Sequence, residues 1–203
     1  MRQKLTLAFI TIIASLFMGC SLQTTVPPMA KYRLDTDLLK ASAPHGPYSD
    51  KVVRMSQLES STMLSGRMIV YTSDNGQSYS YTKARWMESV NRQFSSLMIR
   101  SLTNSGIFKD VLEYRSKAKN QYLLETGLYD FSQIVHDDET SDVYLMVKVR
   151  LVDQESKKIV SSRTFQYREK GLEANVQGAL KGYNMLMKTY LKALNQWLKE
   201  EHK

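Results

Sequence analysis

Residues 143–151 read Val-Tyr-Leu-Met-Val-Lys-Val-Arg-Leu, and their alternation is the strongest structural signal in the chain. Every second residue from Val143 to Leu151 is aliphatic, whereas the residues between them are of mixed polarity. Because side chains point alternately to the two faces of a β-strand, the stretch predicts a long strand with one aliphatic face. Such a face is typical of an antiparallel sheet that packs one side against helices.

Further strands are predicted on both sides of this one. An acidic turn, His136-Asp137-Asp138-Glu139, separates it from a predicted strand at 122–135, and another predicted strand follows at 159–167. Asp74-Asn75-Gly76 predicts a hairpin turn, because Asn-Gly is the strongest short signal for one. Residues 41–50 contain prolines and a glycine and are predicted to be irregular. Shorter β-favouring runs lie at 32–34, 51–55, 68–71, 78–81 and 108–112.

Two amphipathic helices are predicted from apolar residues at three- and four-residue steps. The first covers about 86–104, and Gly106 suits its left-handed end. The second covers about 173–199 and would extend ~40 Å. The chain is therefore predicted to be α+β, with an antiparallel-rich sheet, two main helices packed on one face and a long C-terminal helix, all in one domain at 31–203. The apolar faces consist of Trp86, Val90, Phe94, Leu97, Met98 and Leu102 in the first helix and of Val176, Leu180, Tyr183, Met187, Leu191, Leu194 and Leu198 in the second.

The N-terminal segment, residues 1–19, has the form of a secretory signal peptide. A short basic head with Arg2 and Lys4 precedes a run from Leu5 to Met18 that is almost wholly apolar. This run is shorter than the roughly 20 apolar residues that a bilayer-spanning helix needs. An uncleaved N-terminal anchor helix is the alternative interpretation.

Cys20, the only cysteine, follows this segment and is the predicted lipid attachment site. Gly19 and Cys20 resemble the end of the bacterial lipobox, in which the thiol receives a lipid and becomes the first residue of the mature protein. Ser21 follows the cysteine, and a residue other than aspartate there resembles the pattern of export to the outer membrane in Gram-negative bacteria. Residues 20–30 are then a lipidated tether, and the domain must fold without an internal disulfide.

The chain is basic, with a formal net charge of +8. Removal of residues 1–19, which contain two basic residues and no acidic one, leaves a net charge of +6. A moderate positive charge keeps a protein soluble, and it also favours anionic lipid headgroups or an acidic partner. An exported location argues against a nucleic-acid partner.

Few residue patterns suggest catalysis. Tyr79 and Lys83 have a spacing that some dehydrogenases use, but no glycine-rich dinucleotide loop accompanies them, and a strand would hold them more than ~10 Å apart. The turn at 136–139 could ligate a metal, yet a solvated turn is the favoured interpretation because no ligand spacing repeats elsewhere. No serine has a recognisable His and acid context. We therefore expect no enzyme, no cofactor and no metal site.

Two aromatic features have both a functional and a structural interpretation. Tyr183, Met187 and Tyr190 could line an apolar site for a lipid or a partner helix, but a helix that covers a sheet needs such residues for its core. Trp86, next to Arg85, could make a cation–π contact, but a core anchor is the favoured role.

Several segments together resemble a known family, over about residues 30–200. They are Tyr32-Arg33-Leu34, Met68-Ile69-Val70-Tyr71, Ala84-Arg85-Trp86, Ser105-Gly106-Ile107-Phe108 and Leu128-Tyr129-Asp130-Phe131. The pattern is similar to the ABC-type transport auxiliary lipoprotein family, the small lipoprotein subunits of MCE-domain lipid transporters such as the paraquat-inducible systems.

This resemblance implies a non-enzymatic docking or assembly subunit on the periplasmic face of the outer membrane. The implied partners are an MCE-domain protein and an ABC permease and ATPase, with the membrane reached through the N-terminal lipid and phospholipid as the candidate cargo. A homo-oligomer is left open. The alternative is an envelope structural or assembly lipoprotein that tethers protein partners without contacting cargo.

Overall fold

The structure of the protein, a computed structural model, describes residues 28–34 and 46–200. The predicted signal peptide, Cys20 and most of the predicted tether lie outside the described residues. No helix within the described ranges is long and apolar enough to cross a membrane. The elements are β1 (Ala30–Tyr32), β2 (Tyr48–Met55), β3 (Glu59–Ser60), a 3-10 helix (Thr62–Ser65), β4 (Met68–Ser73), β5 (Ser78–Trp86), α1 (Val90–Ser105), β6 (Phe108–Leu112), β7 (Tyr122–Val135), β8 (Thr140–Asp153), β9 (Ile159–Glu173) and α2 (Val176–Lys199).

One long strand, β7, organises the sheet. One of its edges pairs antiparallel with β8 along its whole length, and β9 pairs antiparallel with the far edge of β8. The other edge of β7 is divided among three shorter strands, β2, β3 and β4, which all run parallel to it. β5 lies beyond β4, β1 lies beyond β5, and β6 lies beyond β2.

The sheet is mixed, so the prediction of an antiparallel-rich sheet is wrong, whereas the predicted α+β class is confirmed. Among the described strands, five pairings are parallel and three are antiparallel. The parallel pairings with β7 join residues far apart in sequence, such as Val53 and Tyr122. Parallel neighbours need long connections, and residue alternation reports the face that a side chain takes but not the direction of the partner strand.

Several predicted elements are present where the sequence placed them. The strand at 122–135 is β7, and the alternating stretch at 143–151 lies within β8. The predicted Asn-Gly turn joins β4 and β5, and Gly76 adopts a φ of 79°, a left-handed conformation that suits glycine. The third predicted strand is longer than expected, because β9 continues to Glu173.

Trp86 ends β5 and does not begin the first helix, which corrects the predicted start of that helix. α1 begins at Val90, and the Ser89 side chain caps it by accepting a hydrogen bond from the backbone N–H of Arg92. Trp86 lies four residues before Val90, which is the spacing of one helical turn. The apolar residue at the end of β5 therefore extended the helical pattern of the sequence by one turn. Trp86 is nevertheless a buried core residue, as predicted.

Residues 48–50, predicted to be irregular, form the start of β2. Tyr48 is buried there, its ring stacks on Phe108 with centroids 5.3 Å apart, and it meets Tyr122 edge-on at 5.1 Å. The burial of this aromatic side chain between two strands outweighs the turn signal of the nearby prolines. Residues 41–45 of the same predicted stretch lie outside the described residues.

The core contains the aliphatic face of β8 and a cluster of aromatic side chains. Tyr190 of α2 stacks on Phe94 of α1 with centroids 5.4 Å apart, and Tyr183 of α2 stacks on Phe131 of β7 at 4.2 Å. Both helices therefore contribute rings to one aromatic cluster. The alternating residues that predicted β8 are fully buried: Val143, Leu145, Val147, Val149 and Leu151.

Candidate functional site

A groove of about 760 Å³ lies beside α1, and a cavity of about 260 Å³ adjoins it. One side of α1 forms the first wall of the groove, the crossover from β2 to β3 forms its second wall, and residues 113–115 after β6 close one end. The volume of the groove falls in the range of about 300–1,000 Å³ that binding pockets commonly occupy.

The wall between β2 and β3 is built by a crossover that stays attached to β7. Ser56 donates its backbone N–H to the Leu124 carbonyl at 2.9 Å, and its Oγ accepts the backbone N–H of Thr126 at 3.2 Å. Gln57 and Leu58 then leave the sheet before β3 pairs with Gly127. This departure opens a gap in the sheet beside residues 125–126 of β7.

The opposite wall is fixed by Asn91 in the first turn of α1. Its Oδ1 accepts a hydrogen bond from Ser60 Oγ at 2.9 Å, and its Nδ2 donates to Ser65 Oγ at 3.3 Å. These bonds tie the first turn of α1 to β3 and to the 3-10 helix, next to the segment that forms the other wall. Gly106, with a φ of 66°, ends α1 in the left-handed conformation that the sequence predicted.

Four apolar side chains and the side chain of Thr126 are among the residues that line the groove. Met55 and Met98 are buried, and Leu58 and Ile99 are half-buried beside them. Thr126 is 4% exposed, and its Oγ1 has no hydrogen-bond partner among the described residues. A buried hydroxyl without a partner costs about 1–3 kcal/mol of stability.

The rim of the groove carries charges of both signs. Arg92 lies 3.4 Å from the Glu88 carboxylate across one helical turn, and both side chains are well exposed. The Arg115 guanidinium lies 5.1 Å from the centre of the exposed Tyr114 ring. An exposed ion pair such as Arg92–Glu88 contributes little to stability, so these two side chains can exchange each other for a partner at small cost. Arg100 and Glu113 complete the charged rim.

A smaller cavity of about 260 Å³ lies at the same gap and shares Ser56 and Thr126 with the groove. Glu125 and Arg150 line it with their charged groups 3.5 Å apart. Gly127 leaves room there for the Tyr129 ring, because a Cβ at this glycine would lie 2.8 Å from the ring. The gap beside β7 therefore has a cavity on either side of it.

The predicted acidic turn is part of an ion-pair network. His136 Nδ1 lies 2.7 Å from Asp74 and its Nε2 lies 3.3 Å from Asp142, which also pairs with Arg168. The hydrogen bond to Asp74 raises the pKa of His136, with Asp142 adding to the effect. Burial opposes ionisation of Asp142, but its bonds to Arg168 and to the Gly171 N–H lower its pKa on balance.

This network joins the turn between β4 and β5 to the turn between β7 and β8. Among the described residues, no cluster of His, Cys, Asp and Glu has the arrangement that holds a metal ion. Tyr79 and Lys83, the pair considered for dehydrogenase chemistry, both lie in β5 with exposed side chains.

The aromatic residues of α2 serve the core. Tyr183 and Tyr190 are 2% and 0% exposed, and Met187, which lies between them in the sequence, is also buried. Burial raises the pKa of both tyrosines well above the ordinary value. The structural interpretation of these residues is therefore confirmed, and the interpretation as an open apolar site is wrong.

The groove itself was missed by sequence reasoning. Its walls come from three separate segments, and Thr126 looks like an ordinary strand residue in the sequence. One available signal was the polar series Arg92, Ser96 and Arg100, four residues apart along the exposed side of α1. Nothing in that series shows which segments lie opposite it.

Comparisons with known proteins identify the fold and the family. The model of a family described as ABC-type transport auxiliary lipoprotein component matches residues 32–195. No curated protein matches the chain. A crystal structure of a Xanthomonas campestris protein of the DUF330 family is similar with a TM-score of 0.72 and 14% identity, covering 84% of this chain and 94% of that one.

Other solved structures are more distant. The crystal structure of an uncharacterized protein is similar with a TM-score of 0.63 and 13% identity, covering 84% of this chain and 99% of that one. Lipoprotein GNA1162 from Neisseria meningitidis has a TM-score of 0.42 at 12% identity, covering 74% and 99%. At these identities the first two likenesses show the fold alone. The family match, which runs from β1 into the last turns of α2, shows more: the chain belongs to the family of ABC-type transport auxiliary lipoprotein components.

Proposed function

We propose that this protein is the accessory lipoprotein of an MCE-domain lipid transport system. In this proposal it is anchored through a lipid on Cys20 to the periplasmic face of the outer membrane and acts as a docking subunit without catalytic activity. The observation that carries the proposal is the family match over residues 32–195, since auxiliary components act beside a transporter that supplies the energy.

The groove beside α1 supports a docking role. It combines apolar side chains in its lining with a rim that carries charges of both signs. Interfaces between proteins commonly have an apolar centre and a polar rim. We therefore take the groove as the candidate contact site for the periplasmic partner.

Site-specific photocrosslinking in intact cells tests both the partner and the site. Ser96 is exposed on the groove side of α1, and Lys188 is exposed on α2 outside the groove lining, so each can carry a photoreactive benzoylphenylalanine. We expect the label at Ser96, but not the label at Lys188, to crosslink to an MCE-domain protein that mass spectrometry identifies.

The outcomes separate the function from the site. Crosslinks to an MCE-domain protein from position 188 alone would contradict the assignment of the groove but keep the function. If neither label captures such a protein, and none co-purifies with the chain from solubilised envelopes, the proposed transport role is wrong.

The anchor is tested separately by Cys20→Ser. We expect this variant to remain unprocessed and to take up no labelled fatty acid, because the chain then has no thiol to modify. A variant that still incorporates fatty acid and fractionates with the outer membrane would show that another residue carries the lipid.

A further inference from the structure

A basic, methionine-containing surface lies where β1, β5 and β4 meet. Lys31 pairs in register with Arg85, and Arg85 pairs with Met68 on the other side. Ala84 and Trp86, the strand neighbours of Arg85, are both buried, so the Arg85 side chain points to the opposite, outer side of the sheet. Three adjacent strands thus place two cations and a methionine side by side.

Neighbouring residues enlarge this surface. Met29 and Arg33 lie two residues before and after Lys31, and all three side chains are exposed. Lys83 and Met87 flank Arg85 in the same way and are exposed as well. We call this surface the β1 corner patch, and it consists of Met29, Lys31, Arg33, Met68, Lys83, Arg85 and Met87.

The charges of the patch are not neutralised by the protein. Within the described ranges, none of its four cations forms an ion pair with a carboxylate. The nearest acidic residue that follows in sequence, Glu88, lies 3.4 Å from Arg92 of α1 instead. The three methionines are 46%, 64% and 48% exposed, although thioether side chains of this size are usually buried.

The patch lies next to the point from which the chain leads to its predicted anchor. β1 is the first described strand, and Pro28 is eight residues after Cys20. Eight residues span at most about 28 Å when fully extended. A lipid on Cys20 therefore keeps Pro28, two residues before β1 begins, within that distance of the membrane surface.

We propose that the β1 corner patch lies against the anionic bilayer surface that holds the Cys20 lipid, an inference that rests on the anchor in the proposed function. Anionic headgroups attract the four cations, and flexible methionine side chains enter the boundary between headgroups and acyl chains. The lipid alone would hold the domain on a loose tether, whereas the lipid together with the patch fixes one orientation of the domain.

Fluorescence of the lipidated protein in vesicles tests this orientation. The purified protein is first weighed by mass spectrometry to establish the lipid on Cys20, which consumes the only native thiol. Met68→Cys then carries an NBD fluorophore, and the protein is reconstituted in vesicles of phosphatidylethanolamine and phosphatidylglycerol or of phosphatidylcholine alone. We expect a blue shift and quenching by spin-labelled lipid in the anionic vesicles, and little of either in phosphatidylcholine.

Tyr114→Cys provides the positional control, because Tyr114 is exposed after β6, at the other end of the strand order from β1. Its label should remain in water in both kinds of vesicle. Quenching at both positions would show that the domain has no fixed orientation, and an aqueous signal from the Met68 position in anionic vesicles would overturn the proposal.

Matched charge variants test the cations. Lys31→Gln, Arg33→Gln and Lys83→Gln are combined in one protein, and the control combines Gln substitutions at three exposed lysines of α2, Lys181, Lys188 and Lys192. Each cation near an anionic surface contributes roughly a fivefold factor, so the patch variant should lower the ratio of membrane-contacting to free domain about a hundredfold. The control should change it little.

Three further outcomes contradict the proposal in distinct ways. Equal losses in both variants would show that net charge acts without a specific surface. Protection of the Met68 position only after addition of an acidic protein would assign the patch to a protein partner. A mass without lipid on Cys20 overturns the anchor of the proposed function, and if that unlipidated chain also fails to bind anionic vesicles, the patch proposal falls with it.

Discussion

Replacement of Gly182 by alanine tests how closely α2 approaches the sheet. A Cβ at this position would lie 2.8 Å from Val143 Cγ2, 3.1 Å from Val143 Cβ and 2.5 Å from Leu172 Cδ1. The Leu172 methyl is the end of a flexible side chain and can move. Val143 is fully buried in β8 and β-branched, so its rotamer is fixed by the strand.

Two opposing free-energy changes set the size of the effect. Alanine in place of glycine inside a helix stabilises it by about 1 kcal/mol. Overpacking of a well-filled core costs typically about 1–3 kcal/mol. Because the contact is with a stiff side chain, we expect the second change to exceed the first and Gly182→Ala to lower the free energy of unfolding by about 1 kcal/mol.

Urea unfolding followed by tryptophan fluorescence measures this change, since Trp86 and Trp197 are both buried. The same substitution in a Val143→Ala background removes the clashing methyl groups, so there Gly182→Ala should be neutral or stabilising. A stabilised Gly182→Ala in the wild-type background, with no coupling to Val143, would refute the close approach of α2 to β8.

Three other predictions concern polar side chains. The hydrogen bond to Asp74 is the chief cause of the raised pKa of His136. The free energy of unfolding lost in His136→Gln should therefore be greatest below about pH 6.5 and should shrink as the pH rises through the folded-state pKa. Urea titrations across this window that show the opposite trend would contradict the ion pair. Ser101→Ala removes the acceptor of Asn195 Nδ2, 3.0 Å away in a buried site, and should lower the free energy of unfolding by about 1–3 kcal/mol, whereas an unchanged urea midpoint would show that the amide finds another partner. Burial raises the pKa of Tyr81 to about 12, so its phenol should ionise later than that of an ordinary tyrosine, and ultraviolet titration of Tyr81→Phe should lose a late component and not an early one.

Local patterns predicted much of the individual elements. The alternation from Val143 to Leu151 correctly indicated both a strand and its buried face, because burial of every second side chain leaves a direct trace in the sequence. The Asn-Gly turn was predicted for a similar reason, since the backbone of Gly76 has a positive φ.

The directions of the strand pairings could not be predicted in the same way. One edge of β7 pairs with three strands, β2, β3 and β4. Nothing in the sequences of these strands indicates that they pair with β7 or that they run parallel to it. The start of α1 failed for a related reason, because Trp86 satisfies a helical spacing and a strand end equally well. Tertiary context decided between the two.

The candidate site was harder still to predict. Thr126 and Ile99 are unremarkable in sequence and gain meaning only when Ser56 attaches the crossover to β7 and Asn91 holds α1 in place. The β1 corner patch depends likewise on a register between distant strands, in which Lys31 meets Arg85. Such sites follow from long-range pairing and not from local composition.

The shared edge of β7 also has a consequence for the order of folding. The three strands β2, β3 and β4 all precede β7 in the chain. The backbone N–H of Val52, for example, donates a hydrogen bond to the side chain of Gln121, which lies 69 residues later in the sequence. Contacts across such separations are slow to form, whereas the successive hairpins of β7, β8 and β9 involve nearby residues. We therefore expect the C-terminal meander to form early and to present the edge of β7 on which β2, β3 and β4 assemble. The N-terminal half can pair β4 with β5 and β2 with β6 by itself, but the sheet that joins these pairs is complete only when β7 is in place.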